Sequence, residues 1–169
     1  MSLANNFCEY KDEIELVQAQ NRVECDLYSI IAQIIRESAQ GGSISLRDVS
    51  VRRKTKFSRP FRGSFGFPDF VIRAREKSND AQILGAVEAK YLTEDLDLEK
   101  YLEQLEAHIE FYKLVIYTNG LVWRFYDGNN SEKNWEISLG EAVNNYFKWA
   151  SEKQWRNLLT KLNNIMWTD

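Results

Sequence analysis

The chain has 169 residues, 44% of them hydrophobic and 28% charged, with two prolines and a net charge of −3. That is the composition and length of a single globular domain spanning residues 1–169. No apolar run approaches the ~20 residues of a membrane span, the N-terminus lacks the apolar stretch of a secretory signal, and no glycine-rich loop ending in Gly-Lys-Ser/Thr marks a nucleotide phosphate site.

Residues 10–38 have helical character. Val23, Leu27, Ile30, Ile31, Ile34 and Ile35 recur with a helical period, and Gly41-Gly42 stops the run. Cys8 and Cys25 lack metal-ligand spacing, and without a secretory signal both are expected to be reduced, structural thiols of a cytoplasmic protein. With His108 as the only histidine, neither a zinc site built from Cys and His nor a two-His metal site is expected within one chain.

Residues 43–53 alternate in polarity through Ile44, Leu46, Val49 and Val51, predicting a first strand. The segment 44–62 holds Arg47, Arg52, Arg53, Lys54, Lys56, Arg59 and Arg62 against Asp48 alone. Its charge of +6 leaves −9 for the rest of the chain, an asymmetry that fits a polyanion-binding surface on an otherwise acidic protein. A solvated basic loop is the alternative. Phe57, Phe61, Phe65 and Phe67 interleave with these charges, either to stack on unpaired bases or to anchor the loop to the core.

Strands two (about 67–75) and three (about 82–91) follow, separated by the polar EKSND. Residues 94–112 form an amphipathic helix with Leu98, Leu102, Leu105 and Ile109 on one stripe. Asn119-Gly120 marks a hairpin between two further strands, NWEISL adds a short edge strand, and the remainder reads as a helical extension over about 141–167. Ser151 to Gln154 has the form of a capping box for the last helix. The order predicts an α/β sandwich, a central mixed β-sheet flanked by helices, with the long helix as the crossover between parallel strands.

Two of these strands carry charges that a buried strand cannot hold without compensation. Pro68 suits the start of strand two and sets the backbone leading into Asp69. In ILGAVEAKY, Glu88 and Lys90 share a face with Leu84 and Ala86 at the C-terminal end, the usual place for a site in an open α/β sheet. Asp69 and Glu88 can face each other across neighbouring strands. Two carboxylates that close repel, and a hard divalent cation such as Mg²⁺ relieves the repulsion. Such a cation, with Lys90 beside it, can polarise a phosphodiester and activate water. The alternative is an internal salt bridge between Lys90 and either carboxylate.

Pro68-Asp69, a gap, then Glu88-Ala89-Lys90 resembles the signature of the PD-(D/E)xK nuclease superfamily. The nearer likeness is to the N-terminal nuclease domain of type I restriction enzyme R subunits, whose hairpin resembles TNGLVWRFY, residues 118–126. The likeness covers about residues 15–127. It implies a restriction-endonuclease-like fold, Mg²⁺ with Mn²⁺ as a substitute, DNA as partner and hydrolysis of phosphodiester bonds. It also implies two supporting residues. Glu24 would complete the metal site from the first helix, on one face with Leu27 and Ile31. Gln104 would lie near the scissile phosphate. In the family a Tyr often follows that Gln by four positions; here it is His108, which reads as a polar or part-buried helix residue, with a catalytic role as the alternative. Concerted cutting of two strands needs two sites, so a homodimer is a further expectation. A fold kept as a nucleic-acid-binding or assembly module without turnover is the competing one.

Overall fold

The computed structural model describes residues 2–51 and 56–168. Helix α1 (Phe7–Gln20) starts at Asn6, whose side chain accepts hydrogen bonds from the backbone N–H groups of Cys8 and Glu9. It buries Phe7, Tyr10, Ile14 and Val17. The helical run then breaks. Arg22 takes a left-handed φ of 61°, and Val23 is exposed in the turn before α2 (Asp26–Glu37). Two helices thus replace the continuous one expected over 10–38. The apolar period legible in the sequence belongs to α2 alone, which buries Leu27, Ile30, Ile31, Ile34 and Ile35.

Strands β1 (Ile44–Asp48), β2 (Phe70–Ala74), β3 (Ile83–Ala89), β4 (Leu114–Thr118), β5 (Val122–Asp127) and β6 (Trp135–Ser138) form one sheet in sequence order. Only β3 and β4 run parallel, and α3 (Glu99–Tyr112) connects them. β1 stops five residues before the expected end, and Val51 is exposed beyond it. Helix α3 starts five residues later than residue 94, with Leu98 at its N-cap, outside the apolar stripe. Its buried residues are Leu105, His108 and Tyr112.

The sheet has two covered faces. Leu84, Val87, Ala89, Ile116 and Trp123 pack with α1, α2 and the terminal helix α4 (Glu152–Asn163), which contributes Trp155, Leu158 and Leu162. On the other face Val71, Ala86, Val115 and Tyr117 pack with Leu105 and Tyr112 of α3. Leu84 therefore lies opposite Ala86 and Glu88, where simple alternation put all three together. A β-bulge is the reason: Ile72 pairs with Gly85 but Arg73 pairs with Ile83, so Leu84 is the extra residue and alternation restarts after it.

Gly85 sits where β3 passes close to β4. A Cβ there would lie 2.5 Å from the Leu114 carbonyl oxygen and 2.8 Å from the Trp167 ring. Neither backbone nor a buried indole can retreat, so Gly85→Ala is expected to cost about 3 kcal/mol and lower the melting temperature by ~10 °C. A thermal melt within 2 °C of wild type, as an order-of-magnitude bound, would contradict the packing described.

The stretch after β6 is not all helix. β7 (Gly140–Val143) and β8 (Tyr146–Trp149) form a separate two-stranded hairpin turning at Asn144, whose φ is 55°. Asn tolerates that left-handed geometry, and Asn-Asn between short strands is turn chemistry that a helical reading overlooks. Only the part from Glu152 is helical, and its N-cap Ser151 makes no side-chain capping bond. Both cysteines are free and exposed rather than structural. Among the described residues no helix is long and apolar enough to cross a membrane.

Candidate active site

The pairing of Phe70 with Val87 places Asp69 opposite Glu88 at the mouth of the β2–β3 pair. Asp69 and Glu88 are 9% and 4% exposed, and Lys90, one step beyond β3, is 7% exposed. All three charges lie in the interior, and each has partners. Lys90 Nζ donates to Glu88 Oε1 at 2.5 Å and to Gln104 Oε1 at 3.3 Å, and it stands 4.7 Å from the centre of the Tyr101 ring. The ion pair raised as the structural alternative is therefore present, within the same group of residues.

Asp69 is held from two sides. Tyr28 Oη donates to Oδ1 at 2.5 Å, and the Ala89 backbone N–H donates to Oδ2 at 2.7 Å. Tyr28 Oη also lies 3.1 Å from Glu24 Oε1. Glu24 sits in the turn before α2 rather than within the first helix, and it reaches Asp69 through the Tyr28 hydroxyl. Among the described residues no three His, Cys, Asp or Glu side chains converge tightly enough to hold a metal ion by themselves.

The two facing carboxylates are driven apart in acidity. Burial and then the Glu88 charge push Asp69 up to about 7, against the hydrogen bonds from Tyr28 and Ala89. Burial acts on Glu88 in the same sense, but His108 and Lys90 outweigh it and hold Glu88 below the usual carboxylate range. Near neutral pH the pair thus carries one firm negative charge on Glu88 and a proton poised on Asp69. Glu24 is raised by burial, with Lys90 opposing.

His108 is fully buried on α3. Its Nε2 lies 3.4 Å from Glu88 Oε2 and 3.4 Å from Gln104 Nε2. Both contacts are longer than a good hydrogen bond. Glu88 Oε2 has no hydrogen-bond partner among the described residues, nor has His108 Nδ1. The sequence favours an ordinary helix position for His108 over a catalytic one, and gives no role to Tyr28 or Tyr101. The signal available for His108 was its place one turn after Gln104; for Tyr28 there was none, because its contact with Asp69 spans 41 positions.

Of the basic residues, Arg47 on β1 and Lys56, Arg59 and Arg62 in the β1–β2 connection are exposed. Arg52, Arg53 and Lys54 lie outside the described residues. Arg47 pairs with Val71, on the sheet face that α3 covers further along.

No protein-family model matches the chain, and no curated protein sequence does. Among solved structures, it is similar to a chain of the cryo-EM structure of a DrdV–DNA complex, with a TM-score of 0.61 and 15% identity. The likeness is one of fold. It covers 97% of this chain, which spans 14% of the length of that one. Together with the six-stranded mixed sheet between helical layers, it establishes a restriction-endonuclease-like α/β fold.

Proposed function

We propose that the protein is a metal-dependent deoxyribonuclease that hydrolyses phosphodiester bonds, of restriction or phage-defence type. The observation that carries this reading is the buried meeting of Asp69, Glu88 and Lys90, with one Glu88 oxygen met only by the long 3.4 Å contact to His108. Two facing buried carboxylates, one with a weakly satisfied oxygen and the other pushed up to about 7 by burial and its neighbour's charge, form a donor set that suits a hard divalent cation. Mg²⁺ is commonly held by one or two carboxylates plus water and phosphate oxygens, so Asp69 and Glu88 suffice, with Mn²⁺ as a substitute. Glu24 supports Asp69 through Tyr28. When bound, the cation would polarise the phosphate and acidify a water.

The protein's own part is orientation and charge. Lys90 has one donor left beyond Glu88 and Gln104, and it can hold the attacking water or offset charge on the phosphate. Gln104 fixes the ammonium and can hydrogen-bond the water or the DNA. Arg47, Lys56, Arg59 and Arg62, with Arg52, Arg53 and Lys54, would neutralise backbone phosphates. Replacing Lys56, Arg59 and Arg62 by Gln is expected to flatten the salt dependence of DNA binding by about 2–3 in log–log slope. An unchanged slope in a fluorescence-anisotropy series would remove the basic segment from the interface.

The test of the whole reading is supercoiled plasmid incubated with Mg²⁺ or Mn²⁺. Wild type nicks it, and Asp69→Ala and Glu88→Ala do not. A second reading, a binding or assembly module without turnover, is favoured by the closed Glu88–Lys90 ion pair and by the occupation of both Asp69 oxygens. It prevails if wild type and Lys90→Met shift DNA equally on a gel and neither cuts with any divalent metal. Two sites acting together would also make the protein a homodimer on DNA, measurable by analytical ultracentrifugation.

A further inference from the structure

Between the basic connection and Asp69 the chain makes a small, anchored structure that the proposed chemistry does not use. Gly63 and Gly66 exchange backbone hydrogen bonds of 2.9 and 3.1 Å, closing a hairpin with Ser64 and Phe65 at its tip. Gly66 permits the turn with a φ of 104°. The hairpin is held from below. A Cβ at Gly63 would touch the Phe111 ring at 3.4 Å, the Tyr112 hydroxyl donates to the Phe61 carbonyl, and Arg73 covers the Phe61 ring at 5.0 Å. Phe61 and Phe67 are the partly buried anchors. Phe65 is not one: it is 52% exposed at the tip, and Phe111 beside the base is 46% exposed.

We propose that this hairpin is a stacking platform for an unpaired base beside the cleaved phosphodiester, so that the preferred substrate is single-stranded or frayed DNA. The inference rests on the nuclease reading above and deepens it. Three features argue for it. First, an apolar ring on a fixed support can stack on any base, and its face is a sequence-tolerant partner. Second, the charge is right for a polyanion: no acidic residue lies between Asp48 and Asp69, whereas Lys56, Arg59 and Arg62 in that interval are exposed. Third, the distance is right. Phe65 is four residues from Asp69, a reach of at most ~14 Å. Gln104, which bonds Lys90, and Phe111 are seven residues apart on α3, ~10 Å along the axis. A ring within that reach meets a base within a few nucleotides of the phosphate in the site. The exposed Phe111 ring and the base of the hairpin thus stand towards the C-terminal end of α3, beyond Gln104.

The experiment uses wild-type protein in EDTA, a fluorescein-labelled 15-mer and the blunt duplex of the same sequence. A second single strand carries 2-aminopurine at each position in turn. The expected result is single-strand affinity at least ~10-fold above duplex affinity, with 2-aminopurine emission changed on binding by wild type and not by Phe65→Ala. Phe65→Ala is expected to weaken single-strand binding by about 10-fold with the salt slope unchanged, and Phe65→Trp to restore it. Phe65→Ala within twofold of wild type, or duplex bound as tightly as the single strand, overturns the platform and leaves the nuclease reading standing if plasmid is still nicked. Absence of binding to either DNA, together with no nicking, overturns both.

Discussion

Lys90→Met is expected to lower the metal-dependent cleavage rate by about 10³-fold while leaving DNA affinity within a few-fold of wild type. The separation follows from where the two kinds of cation sit. Arg47, Lys56, Arg59 and Arg62 are exposed and meet backbone phosphates in solvent, where each contributes to affinity and salt dependence. Lys90 is buried, locked between Glu88, Gln104 and the face of Tyr101. A cation so placed adds little to encounter and much to a transition state whose charge develops within its reach. Methionine keeps the stem and deletes the charge. Lys90→Arg should not rescue, because a planar guanidinium cannot reproduce a point charge in a space closed on three sides. The measurement is single-turnover nicking of supercoiled plasmid at saturating protein. A Lys90→Met rate above a tenth of wild type would show that the ammonium is a structural counter-ion only.

The second large effect is one of stability, and it has opposite signs at the two carboxylates. In the metal-free protein at pH 8, Asp69→Asn is expected to stabilise by about 2–4 kcal/mol and Glu88→Gln to destabilise by about 3–5 kcal/mol. Asp69 holds its proton to about pH 7 when folded, against 3.8 for an ordinary aspartate. The folded state therefore binds more protons than the unfolded one between those values. Asp69's contribution is intact below about pH 4, falls as pH rises and is fully lost above about pH 7. Asparagine cannot ionise, and it still accepts from Ala89 and donates to Tyr28, so it removes the penalty. Glu88 is the reverse case. Its lowered value means that its contribution is present above the ordinary glutamate range and is lost as pH falls through the folded value. Removing its charge strands the buried ammonium of Lys90 without an anion. Urea unfolding in EDTA between pH 4 and 9 measures both. Saturating Mg²⁺ should then raise wild-type stability by ~2.7 kcal/mol at a hundred times its dissociation constant and do much less for either variant. Shifts of the same sign in the two variants would contradict the assignment of the proton to Asp69.

Much of the fold is legible in local chemistry. Ile44 and Leu46 alternate into the core as their spacing requires. Asn119 makes its hairpin by itself: its side chain accepts from the N–H groups of Leu121 and Val122, and Gly120 takes the left-handed φ of 82°. Pro68-Asp69 and Glu88-Ala89-Lys90 stand out because charge in an apolar strand is costly wherever the chain goes. The break at Arg22, by contrast, is a left-handed residue with no glycine to announce it. The β7–β8 hairpin has little local signal beyond Asn144-Asn145, and its Phe147 and Trp149 pack against the main core. The bulge at Leu84 turned one side chain to the opposite face, a shift that a period of two cannot encode.

The sequence by itself determined the mixed α/β architecture, the basic character of residues 44–62 and the three charged side chains that had to find compensation inside the sheet. Each of these follows from periods, turn residues and charge counts that act within a few positions. Only the tertiary structure decided how those charges are compensated: Tyr28 from α2 on Asp69, His108 and Gln104 from α3 on Glu88 and Lys90, and Phe65 raised on a hairpin that α3 supports. The physical reason is that burial and hydrogen bonding depend on which elements meet, and residues 28, 69, 88 and 108 meet only after the strands have paired and the helices have closed over both faces.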